Sequence, residues 1–293
     1  MPKNPLAEVF GFPVNNMSEV AVKHRKNRLC PFHNSSGPNC TKTSAHDPLG
    51  VCSIYQKNEI VITCPVRFRQ DLRILSDVGR FFFGGQNFVA LTEVRINDRN
   101  GKSAGNIDIV LALLNKHKNI FDFAAIEIQA VYIAGNIHSA FTKYMESPEN
   151  NWNMEWPKKD YPKPDYLASS RKRLVSQLLF KGNILHAWRR KMAVVVHRCF
   201  FEELPEMDLV GEQEAEIAWF IYDLEQGEAE TLCLKLVDIK YTKFKVALAR
   251  ISTPEVGEID VFKKSVDTRI KSGQLLGEPL SSLVEPSVEP VDL

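Results

Sequence analysis

Residues 105–130 read GNIDIVLALLNKHKNIFDFAAIEIQA. Asp108 lies near the start of one apolar run, and Glu127 and Gln129 lie inside the next. Strand side chains alternate between two faces, so Glu127 and Gln129 point one way and Ala124, Ile126 and Ile128 the other, into a core. If the runs pair as neighbouring strands, about 4.8 Å apart, Asp108 faces Glu127. Two carboxylates at one sheet edge suit a hard divalent cation such as Mg2+.

Phe88–Ile96 reads as a preceding strand with Val89, Leu91, Glu93 and Arg95 on one face. Ile107–Leu114 and Phe123–Ile133 follow as strands. Their near-continuous apolar character predicts cover on both faces. FRQDLRILSDV (68–78) has helical spacing, as does Ile137–Met145. A polar, proline-rich connection runs from Glu146 to Asp165. Tyr166–Phe180 is expected to be a helix, with Asp165 as its cap, Gly182 at its far end, and Leu167, Leu174, Leu178 and Leu179 as the core stripe. Met192–Phe201, Ile217–Asp223 and Thr231–Tyr241 read as strands, and Val256–Lys271 as a closing helix. The expected organisation is a module over 1–64, a main domain over 65–272 and a flexible acidic tail over 273–293.

The chain has 293 residues and a net charge of +1. No apolar run approaches the roughly 18–20 residues of a membrane span. MPKNPLAEVF lacks the charged-then-apolar pattern of a secretory signal, so a cytoplasmic protein with no membrane partner is expected. The charge is segregated. Tyr166–Phe201 carries eight Lys or Arg and no acid, whereas Glu202–Leu234 carries eleven Asp or Glu and no Lys or Arg. A second basic cluster runs from Lys23 to Arg28. One face can meet a phosphate backbone while the whole stays nearly neutral. The plainer reading is a solvated helix followed by a solvated acidic loop.

Four of the six cysteines, Cys30, Cys40, Cys52 and Cys64, fall in the irregular first 64 residues. A reducing cytosol disfavours disulfides. Four thiolates can hold one tetrahedral zinc or iron ion and fold a segment with little core of its own. His33 and His46 are alternative ligands, and four ordinary buried cysteines are the alternative without metal. Cys199 and Cys233 lie in apolar runs and read as packing residues.

Hydrolysis of a phosphodiester needs an in-line water, charge relief on the phosphate and help for the leaving oxygen. A carboxylate-bound Mg2+ can supply all three. Asp108 and Glu127 are the expected ligand pair, and the Ile128 carbonyl can add a third oxygen. Gln129 stands where many such nucleases carry a lysine. Being neutral, it orients water and cannot accept a proton as a base. Glu93 is a further ligand or the holder of a second metal.

In combination, RLCPFH, NCTKTS, PLGVCSI and TCPVRF, then LTEVRI, GNIDIVLA, IEIQAVYI and DYLASSRKRLVSQLLFKG, resemble the NotI-type restriction endonucleases, over roughly Phe10–Val196. That family is a branch of the PD-(D/E)xK nucleases carrying an ExQ variant of the motif. The resemblance implies an α/β fold, a central mixed sheet flanked by helices with an N-terminal four-cysteine metal module. It also implies a type II enzyme that cuts double-stranded DNA at a GC-rich palindrome, and the chain's length suggests a six-base site. It implies catalytic Mg2+ at Asp108 and Glu127, with Gln129 and Glu93 beside it, and structural iron on the four cysteines.

A palindrome is read by a two-fold homodimer; no other protein partner is expected. Guanine is read by bidentate arginine, and cytosine N4 donates to carboxylates. Asp165, Ser169, Ser170, Arg171, Lys172 and Arg173 fit a GC-rich target, with Arg171 or Arg173 on guanine and Lys172 and the hydroxyls on phosphates. Lys42, Lys23–Arg28 and Arg189–Lys191 are backbone candidates. Trp152 and Trp156 line the cleft or anchor the loop. The competing functions are a cysteine-metal DNA-binding protein without catalysis and a protein-binding chain that uses its acidic block.

Overall fold

A computed structural model describes residues 2–33, 38–44 and 46–277. Its centre is a six-stranded mixed sheet in the order β12-β11-β10-β7-β6-β5. Twelve strands are defined: β1 (Leu6–Val9), β2 (Phe12–Pro13), β3 (Val51–Gln56), β4 (Glu59–Ile62), β5 (Val89–Asn97), β6 (Ser103–Leu114), β7 (Ile120–Gln129), β8 (Tyr132–Ala134), β9 (Lys163–Asp165), β10 (Met192–His197), β11 (Ile217–Gln226) and β12 (Leu232–Thr242). β10 runs parallel to both β7 and β11, and the remaining pairs are antiparallel.

The alternation read in residues 124–129 is realised as two apolar layers. Ala124, Ile126 and Ile128 join Ala193, Val195, Phe220 and Ile109 against the Arg73–Phe83 helix through Ile74, Val78 and Phe83. Ala125, with Val194, Val196, Trp219 and Ile221, packs on the other face against Leu174, Leu178 and Leu185 and against the Phe244–Ser252 helix. Helices thus cover both faces; β10 is buried throughout and β7 from Ala124 to Gln129. A second, four-stranded antiparallel sheet, β2-β1-β3-β4, carries the N-terminal residues. It shares an apolar cluster with Cys30, Cys40, Cys52 and the Ile137–Glu146 helix.

Several expectations are corrected. The helix expected over 68–78 splits: tight turns cover Pro65–Leu72, and the α-helix runs Arg73–Phe83. Asp71 and Leu72 adopt left-handed backbone, at φ 51° and 55°, which breaks the helical path. The strand expected over Met192–Phe201 stops at His197, and Arg198–Glu202 is helical. Asp165 caps the next helix, accepting from the Ala168 amide at 2.9 Å, but Gly182 does not end it. The helical path continues through Gly182 (φ −63°, ψ −37°) to Ala187. A Cβ at Gly182 would lie 2.6 Å from Phe244 Cε2, so the glycine serves close packing rather than termination. Leu174 and Leu178 are buried, whereas Leu167 and Leu179 are 55% and 48% exposed and lie off the core stripe.

The Glu146–Asp165 connection is tethered at its end by β9, which pairs with β8. Trp156 packs partly against the N-terminal cluster. The chain divides into one compact unit that runs to Ser252 and a second that begins at Thr253. The second holds the Ile259–Lys271 helix, none of whose residues is buried. Of the acidic tail expected over 273–293, residues 278–293 lie outside the described residues. No helix among the described residues is long and apolar enough to cross a membrane.

Candidate active site

Strand register aligns the carboxylates. Pairing of Ile109 with Ile126 sets Asp108 opposite Glu127. Pairing of Thr92 with Ile109 and Val94 with Ile107 sets Glu93 opposite Asp108. Three carboxylates thus stand at one level across β5, β6 and β7. Glu93 adopts left-handed backbone (φ 56°) inside its strand. Asp108, Glu93, Ile128 and Gln129 line a cleft of about 730 Å3 together with Arg173, Gln177 and residues of the N-terminal segment, among them Lys42 and Cys64.

Asp108 Oδ2 accepts from the Ile128 amide at 2.7 Å, which locks the carboxylate to the neighbouring strand. Burial raises the Asp108 carboxyl above its ordinary range, partly offset by that amide and by Lys181. Glu127 is fully buried and is pushed up to about 8, by burial first and by Asp108 second. Gln129 Nε2 donates to the Ala130 carbonyl at 2.6 Å. A carbonyl only accepts, so this contact fixes the amide's orientation and leaves Gln129 Oε1 as the free end. Among the described residues, Glu127 Oε1, Gln129 Oε1 and Gln177 Oε1 are buried without a hydrogen-bond partner.

One residue of the site was missed in the sequence. Lys181, buried on the helical run, bonds through Nζ to Glu127 Oε2 and to the Asn106 carbonyl, the latter at 2.8 Å. It lies 54 positions from Glu127 in the chain. The available signal was its spacing: Arg173, Gln177 and Lys181 recur every four residues, and all three line a smaller cavity of about 380 Å3 beside Asp108 and Glu93.

The DNA-reading candidates separate by their partners. Asp165 is occupied by its capping role and accepts from Ser169 Oγ at 2.6 Å. Ser170 is buried, donates to the Asp165 carbonyl and accepts from the Tyr132 amide. Arg171 Nε donates to the Ile251 carbonyl at 2.6 Å. Lys172 is exposed, and Arg173 is exposed at the cleft. The Lys42 ammonium turns inward, to the carbonyls of Val51 and Thr63. In the 23–28 cluster, Arg25 is buried against the carbonyls of Asn16 and Pro13 and over the Tyr144 ring. Arg190 pairs with Asp122 and stacks on Phe123.

Cys30, Cys40, Cys52 and Cys64 are all buried, free thiols. Cys64 lies within electrostatic reach of the other three. Burial first, then Cys64, Glu8 and Cys30, raises the Cys52 thiol, and burial pushes Cys30 up to about 12. Among the described residues, no three His, Cys, Asp or Glu side chains converge as a ready-made metal site. His33 approaches Thr41 Oγ1 at 3.5 Å, and the His46 carbonyl faces Arg28. Cys199 is buried and Cys233 half-buried, both outside this cluster.

A family model described as "Restriction endonuclease NotI" matches residues 10–236. The matched segment contains the cysteines, the carboxylate row and the helical run. No curated protein sequence matches the chain.

Proposed function

The chain belongs to the NotI restriction endonuclease family, and from that premise we propose a Mg2+-dependent type II enzyme that hydrolyses double-stranded DNA at a short GC-rich palindrome, with Asp108, Glu127 and Gln129 as its catalytic set. The observation that carries this reading is the alignment of Glu93, Asp108 and Glu127 across three adjacent strands, with two buried oxygens beside them lacking hydrogen-bond partners. An unsatisfied buried acceptor costs about 1–3 kcal/mol. A cation at Glu127 Oε1 removes that cost. The donors are all oxygens, which suits a hard ion, and Mg2+ uses one or two carboxylates and completes its shell with substrate phosphate and water. The residues present therefore fit the ion.

In this mechanism Asp108 and Glu127 would hold Mg2+, with the Ile128 carbonyl as a further oxygen donor, and Glu93 would be an additional ligand or the holder of a second ion. When bound, the ion relieves charge on the phosphate and acidifies the attacking water. Gln129 accepts a hydrogen bond from that water through Oε1 and aims it without taking its proton. Asp108 keeps its orientation through the Ile128 amide. Arg173, exposed at the cleft, is the favoured guanine reader or phosphate contact, with Lys172 and Ser169 beside it. Asp165, Ser170, Arg171 and Lys42 spend their polar groups on internal bonds and are weaker candidates. A palindrome calls for a homodimer.

The PD-(D/E)xK assignment and a six-base site belong to the same proposal. Cys30, Cys40, Cys52 and Cys64 are soft donors of the kind structural iron or zinc takes, but among the described residues they do not converge as a ready-made site, so an ion cross-linking the N-terminal segment would have to draw them together. Elemental analysis of the purified protein, with Cys52→Ser as the comparison, reads out that metal.

The main test is digestion of sequenced GC-rich DNA with Mg2+, followed by reading of the fragment ends. The wild type should give discrete fragments, and chelation should abolish them. Asp108→Ala and Glu127→Ala should each slow cleavage about a thousandfold, a loss of roughly 4 kcal/mol of transition-state stabilisation. Discrete fragments from both variants at wild-type rate would overturn the assignment. Binding to DNA without cleavage at any Mg2+ concentration would point instead to a non-catalytic DNA-binding protein.

A further inference from the structure

We propose that Lys181 is a positioning residue that acts as a tethered cation: its ammonium holds Glu127 in the metal-free enzyme and is displaced when a divalent metal arrives. Loading the metal and releasing the ammonium are then a single exchange. The inference rests on the reading of Asp108 and Glu127 as metal ligands.

The contacts define the cation's place. Lys181 Nζ touches Glu127 Oε2 and the Asn106 carbonyl, one residue before β6 turns to Ile107 and Asp108. These are oxygens from the two strands that carry the proposed ligands. Lys181 and Glu127 are both buried, and a buried charge is retained only when paired. Yet Glu127 Oε1 has no hydrogen-bond partner, so one ammonium does not satisfy the carboxylate. Asp108 and Glu93 add further negative charge beside it. A divalent ion supplies more charge to the same oxygens than one ammonium can.

The geometry also provides an exit. The Lys181 stem passes Gly105, where φ is +116° and a Cβ would stand 3.4 Å from Lys181 Cδ. Lys181 lines the cavity of about 380 Å3 with Glu93, Asp108, Arg173 and Gln177. The displaced ammonium can withdraw there, with Glu93 as its counter-charge. Helix geometry keeps it aligned. Four residues of α-helix turn 400°, so Arg173, Gln177 and Lys181 would drift around an ordinary helix. The wider π-type turn over Leu178–Gly182 takes up part of that drift.

The test measures metal binding directly, on the full chain without DNA. Calorimetric titration with Mg2+ and with Ca2+ at pH 9 compares wild type with Lys181→Met, which keeps the stem and removes the charge. The expected result is metal binding at least tenfold tighter in Lys181→Met. In cleavage assays the variant should then need less Mg2+ for half-saturation while its kcat falls. Equal or weaker metal binding by a variant that melts like wild type overturns the exchange and leaves the nuclease assignment standing. Wild-type protein that binds neither metal overturns the metal-site reading and the exchange with it. A second measurement does not depend on the variant's folding. The 15Nζ resonance of Lys181 in the wild type, identified by its loss in Lys181→Arg, should shift on saturation with Mg2+. A resonance unmoved by bound metal overturns the proposal.

Discussion

Glu127 couples the chemistry of the site to the stability of the protein. Its carboxyl ordinarily titrates near 4.5 and is pushed up to about 8 in the fold, by burial before any other cause. Between these values the folded state holds a proton that the unfolded chain has already released, and the contact with Lys181 becomes a full ion pair only above about pH 8. The stability this contributes is complete below pH 4.5 and is lost as pH rises through about 8. Metal-free protein should show a melting temperature that falls across that interval, and Glu127→Gln should flatten the fall, as scanning calorimetry over a pH series will show. Added Mg2+ should restore stability at the alkaline end, because a ligand that binds only the folded state raises its melting temperature. At this scale the sequence was informative for a simple reason. Strand alternation has a period of two, so Glu127 and Gln129 could be assigned to one face from spacing alone, and Asp108 joined them on the condition that the two runs pair, which the register of β6 and β7 meets. Lys181 could not, because its partner lies 54 residues away and the intervening chain had to be folded first.

At the scale of elements, the helical run from Tyr166 to Ala187 shows what local patterns miss. Its start was legible, since Asp165 offers a side-chain acceptor to free amides. Its end was not. Glycine at a helix terminus and glycine under a tight contact look alike in sequence, and only the fold brings Phe244 against Gly182. Gly182→Ala would favour the helix by propensity but drives a Cβ to 2.6 Å from a buried ring. Overpacking of this kind typically costs 1–3 kcal/mol, and helix propensity returns only about 1. The variant should be less stable than wild type in urea denaturation. Because Lys181 is the adjacent residue, its metal affinity should change too. The split of the helix expected over 68–78 has the same origin: periodicity is silent about the left-handed residues Asp71 and Leu72.

At the scale of the molecule, the N-terminal sheet is tied to the central sheet by polar as well as apolar contacts. Arg67 and Glu8 form an ion pair with both side chains fully buried. Arg67 also donates to the Leu232 carbonyl of β12 at 2.9 Å and stacks on Phe32. Ser53 Oγ donates at 2.8 Å to Glu8 Oε2, the oxygen that Arg67 Nε also meets at 3.0 Å. Composition predicted that the first 64 residues would need fastening, but nothing local identified Glu8 or Arg67 as the fastener. Arg67→Ala leaves Glu8 buried without its cation and should cost about 3–5 kcal/mol in chemical denaturation. If the loss is under about 1 kcal/mol, the two sheets are held together by their apolar contacts instead.

Glu93, Asp108 and Glu127 stand in a row across β5, β6 and β7. Its members are spaced by backbone ladders, not by side-chain packing, and β6 and β7 bury their opposite faces in the core. Sliding β6 by one residue would turn Asp108 away from Glu127 and would also push Ile109 and Leu111 out of the apolar layer. A slip of one residue therefore cannot preserve this packing while losing the row. The apolar alternation that buries Ile109 and Leu111 also guards which face the acids occupy, so the commonest error of strand pairing is penalised by the core before it reaches the chemistry.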